Sequence, residues 1–333
     1  MNYAPVDKII WVLADDRAGN VAQALGVAEA LGRPFIVKDI RYTPLAKLPS
    51  ALQGASLLGL TGESRMGLTA PWPDLVIAAG RRTGPAARWI KRQSGGRTRI
   101  VQIMYPGRRA AADFDLLAVP HHDCALPGGD APNILRITGA PHRMTEQRLA
   151  AAAETWSPRF NMLRRPFVAV MVGGATHSRP FPAASAAALG RQAAAMAAFL
   201  NGSVLLTTSR RTGAEAEAAL LNAIPEPRHV FLWSHGGDNP YLGYMALADR
   251  IIVTGDSVSM CSEACATGKP VHIYAPPDLV GAKHARLHRE LYDLGLATPL
   301  EAASITNAAP LNAATAIATA IERLLGETHA ARN

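Results

Sequence analysis

Cysteine, lysine, aromatic residues and long apolar runs are all scarce in this chain of 333 residues. The three cysteines, Cys124, Cys261 and Cys265, are odd in number and lack paired CxxC spacing, which excludes a disulfide framework and a zinc ribbon. Free thiols are expected, with Cys261 and Cys265, one helical turn apart, packed as small apolar residues. Apolar stretches such as 9–14 are as long as a strand and far short of the ~20 residues a membrane-spanning helix needs. No basic cluster precedes an apolar region at the start, so no secretory signal is expected and the cytoplasm is the expected compartment. Charged residues are only 18% against 49% hydrophobic, too little charge for a disordered chain and enough apolar material for a sizeable core. At roughly 150 residues per domain the length predicts two domains.

The basic charge comes from 28 arginines and only 6 lysines, for a net charge of +8. Arginine presents a planar fork suited to phosphate and carboxylate oxygens, although arginine-rich coding would give the same ratio. From Leu75 to Ala112 there are nine basic residues and no acidic one. Within it, Trp89 and Ile90 lie between Arg88, Lys91 and Arg92. This pattern suits an anionic membrane surface approached from the cytoplasmic side, or equally a solvated basic face.

Strand-like and helix-like segments alternate, which implies βαβ units and parallel sheets. Strands are expected at 8–13, 35–37, 75–79, 99–104, 116–119 and 134–138, and in a second cycle at 167–172, 203–207, 229–233, 250–254 and 271–274. Helices are expected over 21–31 and 182–200, with Pro182 opening the second and Gly202 capping it. Leu75-Val-Ile-Ala-Ala-Gly-Arg-Arg-Thr-Gly84 is echoed by Val204-Leu-Leu-Thr-Thr-Ser-Arg-Arg-Thr-Gly213, each a strand running into Arg-Arg-Thr-Gly and a helix. The predicted fold class is α/β: two Rossmann-like, doubly wound parallel-sheet domains facing a cleft. The divisions expected are 1–155, 156–305 and a C-terminal helix within 306–333 that crosses back to the first domain. Ligands bind at the carboxyl ends of the strands in such sheets, so the chemistry is sought in the loops leaving them.

The strongest of these loops runs from Thr254 to Pro270. A small-residue turn leads into a helix near Ser259, and free N–H groups with the helix dipole make an anion site of Ser257, Val258, Ser259 and Met260. Ser257 and Ser259 also suit helix capping. Glu263 has Met260 three residues before it where a capping box needs Ser or Thr, which leaves its carboxylate for a ribose diol, or else simply favoured by the helix dipole. Gly173 and Gly174 follow a strand and permit close backbone approach, with the Thr176 and Ser178 hydroxyls beside them. The spacing fits neither a Walker loop nor GxGxxG. Ser209 and Arg210 stand at another strand exit, where an arginine can neutralise a pyrophosphate. Asn239 is expected to cap a helix opened by Pro240, and Trp233 to lie near a nucleotide base. In the first half, Asp15 and Asp16 leave the first strand. One suits a general base, and one suits the cap of the helix near Asn20.

Other signals are weaker. Asp113-Phe-Asp115 matches a metal-binding DxD in form only, and the adjacent His121 and His122 with Cys124 lack a second ligand group at suitable spacing. No metal site is expected. Lys283, His284 and His288 follow the last strand and read as a solvated helix, with contact of one of them with a ligand as the less favoured alternative.

The run Ser262-Glu-Ala-Cys-Ala-Thr-Gly-Lys-Pro270 resembles the donor-site helix and following strand of GT-B-fold glycosyltransferases, which implies that Glu263 holds the nucleotide ribose. More specifically, the chain resembles the family named after a plant mitochondrial-fission protein, with bacterial members. The matching stretches are Trp11-Val-Leu-Ala-Asp-Asp with Gln23-Ala-Leu-Gly, Pro73-Asp-Leu-Val-Ile-Ala-Ala-Gly-Arg-Arg, Thr207-Thr-Ser-Arg-Arg-Thr, Asn239-Pro-Tyr-Leu-Gly, and Asp256-Ser-Val-Ser-Met-Cys-Ser-Glu-Ala. They span roughly residues 8–300. The loop Asp15-Asp-Arg-Ala-Gly-Asn20 departs from that family's Gly/Lys-rich, histidine-containing segment. The implied activity is a metal-independent transfer from a UDP- or other NDP-sugar, bound as substrate with no permanent cofactor, to a lipid-linked or envelope glycan acceptor. No nucleic-acid partner is expected. The alternatives are a non-catalytic, membrane-associated adaptor and a sugar-nucleotide epimerase or hydrolase.

Overall fold

In the computed structural model, which describes residues 8–48, 50–123, 131–302 and 309–330, the first sheet grows from strands that are apolar on both faces. Its members are β1 (Ile10–Ala14), β2 (Ile36–Asp39), β3 (Leu75–Ala79), β4 (Arg99–Ile103), β5 (Leu116–Pro120) and β6 (Ile134–Ile137), all parallel in the order β2-β1-β3-β4-β5-β6. Successive side chains point to opposite faces. Ile10, Val12, Leu75, Ile77 and Val101 therefore meet the helices Ala18–Ala30 and Ala313–Ala330. Trp11, Leu13, Val76, Ala78 and Ile100 meet Ala86, Ala87 and Ile90 of the helix Gly84–Gln93 on the other face.

The second sheet contains β7 (Phe167–Met171), β8 (Ser203–Thr207), β9 (Arg228–Phe231), β10 (Arg250–Thr254), β11 (Val271–Tyr274) and β12 (Thr298–Pro299), also parallel, in the order β12-β11-β10-β7-β8-β9. Phe167, Ala169, Met171, Ile251 and Val253 face the helices Tyr241–Leu247, Val258–Cys265 and Ala282–Asp293. Val168, Val170, Val204 and Leu206 face Ala183–Phe199 and Ala214–Ala223. Read outward from β7, this is the strand order of dinucleotide-binding sheets, with its reversal between β7 and β10. In the first sheet the reversal falls between β1 and β3.

Two compact units result: residues 1–143 with 312–333, and residues 144–311. The helix Glu146–Trp156, left with the first half by a division at residue 155, belongs to the second unit. Trp156 stacks on Phe160 at 6.3 Å, and a Cβ on Gly243 would lie only 2.4 Å from the Trp156 ring. The terminal helix packs on the first sheet through Ile317, Ile321 and Leu325, and Arg33 holds Glu322 at 2.7 Å.

Several expected details shift. The first helix starts at Ala18 behind Arg17, and neither aspartate is its side-chain cap. Pro182 is the N-cap of its helix, and Asn201 adopts the left-handed conformation expected of Gly202, whose backbone instead presses on Pro166. No helix of the described residues is long and apolar enough to cross a membrane.

Candidate functional site

The reversal between β7 and β10 brings the loops 172–175 and 254–257 side by side. Gly173 N–H donates to Thr254 Oγ1 at 2.8 Å, and Gly174 N–H to Asp256 Oδ2 at 3.1 Å. A Cβ on Gly173 would lie 2.3 Å from that carboxylate, so only glycine fits there. Asp256 is buried and pairs with Arg211 Nη1 at 2.7 Å, while its Oδ1 has no hydrogen-bond partner among the described residues. Arg211 also donates to the carbonyls of Gly174 and Ala175 at 3.3 and 2.9 Å, which ties the β8 exit to the β7 exit.

These bonds revise the expected anion cradle. The N–H groups of Gly173 and Gly174 already serve side chains, so they are not free donors for a diphosphate. The Ser209 hydroxyl is spent on the Gly173 carbonyl. Thr176 is partly buried, and its N–H bonds Arg179 O at 2.8 Å. Arg210, the arginine expected at the site, is exposed, and its neighbour Arg211 makes the ion pair.

The loop after β10 keeps its anion-binding character. Ser257 caps the helix Val258–Cys265 by accepting from Met260 N–H at 3.3 Å, which occupies both groups. The N–H groups of Val258 and Ser259, first in the helix, have no intrahelical acceptor and meet no other acceptor among the described residues, which leaves them for a ligand. About one turn on, Glu263 Oε2 accepts a 2.5 Å hydrogen bond from the Tyr241 hydroxyl. Burial pushes the Glu263 carboxyl above its usual range, opposed by that bond and by the Arg148 charge. Burial and the adjoining carboxylate raise the Tyr241 phenol.

Behind the turn, His288 is buried rather than solvated. Burial lowers its pKa to about 4, so at neutral pH the neutral ring donates from Nε2 to the Gly255 carbonyl at 2.9 Å. Burial also lowers His284, against the pull of Asp256. Cys261 and Cys265 are free, buried thiols set against the carbonyls of Thr254 and Leu296; Cys124 lies outside the described residues.

At the neighbouring exits of β8 and β9, buried Glu217 accepts from the Thr208 and Ser234 hydroxyls at 2.5 and 2.6 Å. Thr208 Oγ1 in turn accepts from Trp233 N–H at 2.8 Å, and the Trp233 ring is half exposed. Asn239 Oδ1 accepts from Tyr241 N–H at 3.0 Å, although the N-cap proper is Pro240.

In the first unit, both Asp15 oxygens are engaged, Oδ1 by Arg17 N–H and Oδ2 by the Asn20 amide, each at 3.0 Å. Asp16 is exposed and paired with Arg82, which stacks on Tyr42 at 4.3 Å. The echoed Arg-Arg-Thr-Gly segments thus act alike: Arg82 and Arg211, the second arginine of each, reach back to the loop leaving the first strand of their own sheet.

The basic segment does not expose an apolar stripe. Ile90 is fully buried, Trp89 packs edge-on to Trp72, Arg88 binds Asp113, and Lys91 and Arg99 bind Asp115 at 2.8 and 2.9 Å. The residues that matched a DxD pattern are therefore counter-ions for that segment.

The architecture is of the GT-B class found in glycosyltransferases and UDP-GlcNAc epimerases. The UDP-GlcNAc 2-epimerase of Methanocaldococcus jannaschii superposes with a TM-score of 0.54 at 13% identity, covering 96% of this chain and 99% of that one. The enzyme of Neisseria meningitidis, bound to UDP-GlcNAc, gives 0.50 at 14% identity over 96% and 100%. At such identities the likeness is one of fold. Residues 18–325 match the mitochondrial fission ELM1 family, and the chain belongs to that family. It is 30% identical over 321 residues to the uncharacterized protein RP120 of Rickettsia prowazekii, covering 86% of this chain and 89% of that protein. It is 31% identical over 251 residues to mitochondrial fission protein ELM1 of Arabidopsis thaliana, covering 70% of this chain but only 57% of the plant protein.

Proposed function

We propose that the second unit binds a nucleotide-sugar at the β7/β10 reversal and that the protein is a metal-independent glycosyltransferase acting on a lipid-linked or envelope glycan acceptor. The observation that carries this reading is the helix Val258–Cys265. It opens at the reversal with two unspent N–H groups, and Glu263 stands on the same helix, fixed by Tyr241. The diphosphate sits on Val258 and Ser259 N–H, where the helix dipole stabilises charge as the phosphate departs. Glu263 accepts from the ribose diol. Trp233 offers its exposed ring to the base. Asp16, paired with Arg82 but with a solvent-exposed carboxylate, is the base proposed for the acceptor hydroxyl in preference to Asp15, whose carboxylate is buried and bound by Arg17 N–H and Asn20.

A second reading, a sugar-nucleotide epimerase, is favoured by the fold neighbours, one of them bound to UDP-GlcNAc. Thermal-shift measurements with UDP, GDP, CMP, dTDP and ADP and their sugars test the shared donor site. A ligand that binds the folded state alone raises the melting temperature by mass action. One nucleotide family should stabilise the wild type and do so less in Glu263→Ala; no shift with any nucleotide would overturn both enzyme readings in favour of an adaptor. Turnover of the nucleotide-sugar without acceptor would select the epimerase.

A further inference from the structure

At the opposite end of the first sheet from Asp15, where β1, β3 and β4 begin, a cavity of about 390 Å³ is lined by Lys8, Trp72, Asp74, Ser94, Arg97, Arg99 and Leu325, with three small or proline residues at 70, 71 and 73. Its volume lies in the range of small-molecule sites.

Its walls are fixed before any ligand arrives. Trp72 is held edge-on by Trp11 at 6.2 Å and by Trp89 at 5.6 Å. Thr98 bridges two walls, donating from Oγ1 to Pro73 O at 2.6 Å and from N–H to Ser94 Oγ at 3.0 Å. Leu325 of the terminal helix closes an apolar side.

Its charge is mixed but net positive: Lys8, Arg97 and Arg99 line it together with one carboxylate, Asp74. Asp74 already accepts from Ile9 N–H at 2.9 Å, and Arg99 is bound to Asp115. Arg97 donates from Nε to Ser94 O at 2.9 Å, and among the described residues neither its guanidinium nor the Lys8 ammonium meets a carboxylate. Lys8 and Arg97, neither of them in an ion pair among the described residues, outnumber the Asp74 carboxylate and, beside a fixed indole and prolines, make a receptor for an anionic head on a flat or apolar body.

We propose that this cavity is a second ligand site, separate from the one at the β7/β10 reversal, and that it takes a small organic anion, a carboxylate or phosphate monoester with an aromatic or apolar body.

Calorimetric titration of the full chain with phenyl phosphate, inorganic phosphate and phenol tests each half of the inference. Phenyl phosphate should bind saturably at one site and quench tryptophan emission, while inorganic phosphate and phenol bind far more weakly. Lys8→Gln/Arg97→Gln should weaken phenyl phosphate at least about tenfold with the melting temperature unchanged, because the charged donors are lost and the walls kept. Trp72→Phe should abolish most of the quenching while calorimetric binding persists. Absence of saturable binding, or equal binding by the Lys8/Arg97 variant, would overturn the site. Equal affinity for inorganic phosphate would overturn the organic body.

Discussion

Removing Arg211 should damage the second unit far more than removing Arg210, although the two are adjacent and chemically identical. Arg211 pairs with Asp256, whose side chain has no solvent exposure and whose Oδ1 already lacks a partner among the described residues. In Arg211→Ala that carboxylate keeps only Gly174 N–H, and the two carbonyls bound by the guanidinium lose their donor. Breaking a buried ion pair from one side costs about 3–5 kcal/mol. With 36% of the Arg211 side chain exposed, water recovers part of the loss and the cost falls at the low end, about 3 kcal/mol. At about 2–4 °C per kcal/mol for a unit of this size, the melting temperature should drop by about 6–12 °C. Arg210→Ala should stay within about 0.5 kcal/mol of wild type, as surface substitutions do. Adding Asp256→Asn to Arg211→Ala removes the stranded charge and should restore much of the loss, leaving a coupling of about 1–3 kcal/mol in the double-mutant cycle. Differential scanning calorimetry of the wild type, Arg210→Ala, Arg211→Ala, Asp256→Asn and the double variant measures both effects. Equal melting of Arg210→Ala and Arg211→Ala, or no coupling with Asp256, would refute the reasoning.

Further tests address neighbouring features. Burial lowers His272 and His288 to about 4 from an ordinary 6.5. The unfolded chain then binds more protons between those values, so stability is complete above about pH 6.5 and is lost as pH falls toward 4. Each histidine should cost about 2 kcal/mol between pH 7 and pH 5, and His288→Gln, which can still donate to Gly255 O, should shrink the fall seen in pH-dependent melting. Gly173→Ala should destabilise by about 1–3 kcal/mol in chemical denaturation, since its methyl would meet the Asp256 carboxylate at 2.3 Å. Tyr241→Phe strips Glu263 of its hydroxyl donor and should both lower stability by about 1.5–3 kcal/mol and weaken whichever nucleotide raises the wild-type melting point.

Strands were legible because parallel strands buried on both faces read as short continuous apolar runs. Leu75–Ala79, Ser203–Thr207, Arg250–Thr254 and Val271–Tyr274 fall on the residues expected. The two-residue strand Thr298–Pro299 carries no such run and was not expected. The site was legible as loops and not as bonds. The run 254–270 announces a helix start after a strand, but nothing local says that Asp256 consumes the N–H of Gly174, 82 residues earlier. Nor does it say that the second of two adjacent arginines, not the first, faces inward. The family-matching run Asp256 to Ala264 does contain Asp256, and a buried aspartate beside glycines was the signal available. His288 looked solvated because its helix is rich in charge: Lys283, Arg286, Arg289 and Glu290 surround it in sequence while one face packs inward with Leu287 and Leu291.

The return of the terminal helix Ala313–Ala330 to the first sheet sets an order of events during synthesis. When residues 1–143 leave the ribosome, the face formed by Val12, Ile77 and Val101 lacks the cover of Ile317, Ile321 and Leu325, and it must wait while the contiguous unit 144–311 is made. Domains ordinarily fold from the N-terminal end as they emerge. Here the later unit can close first, and the earlier one spends most of translation with an uncovered apolar flank, so a nascent chain halted near residue 311 is a client for chaperones rather than a finished protein.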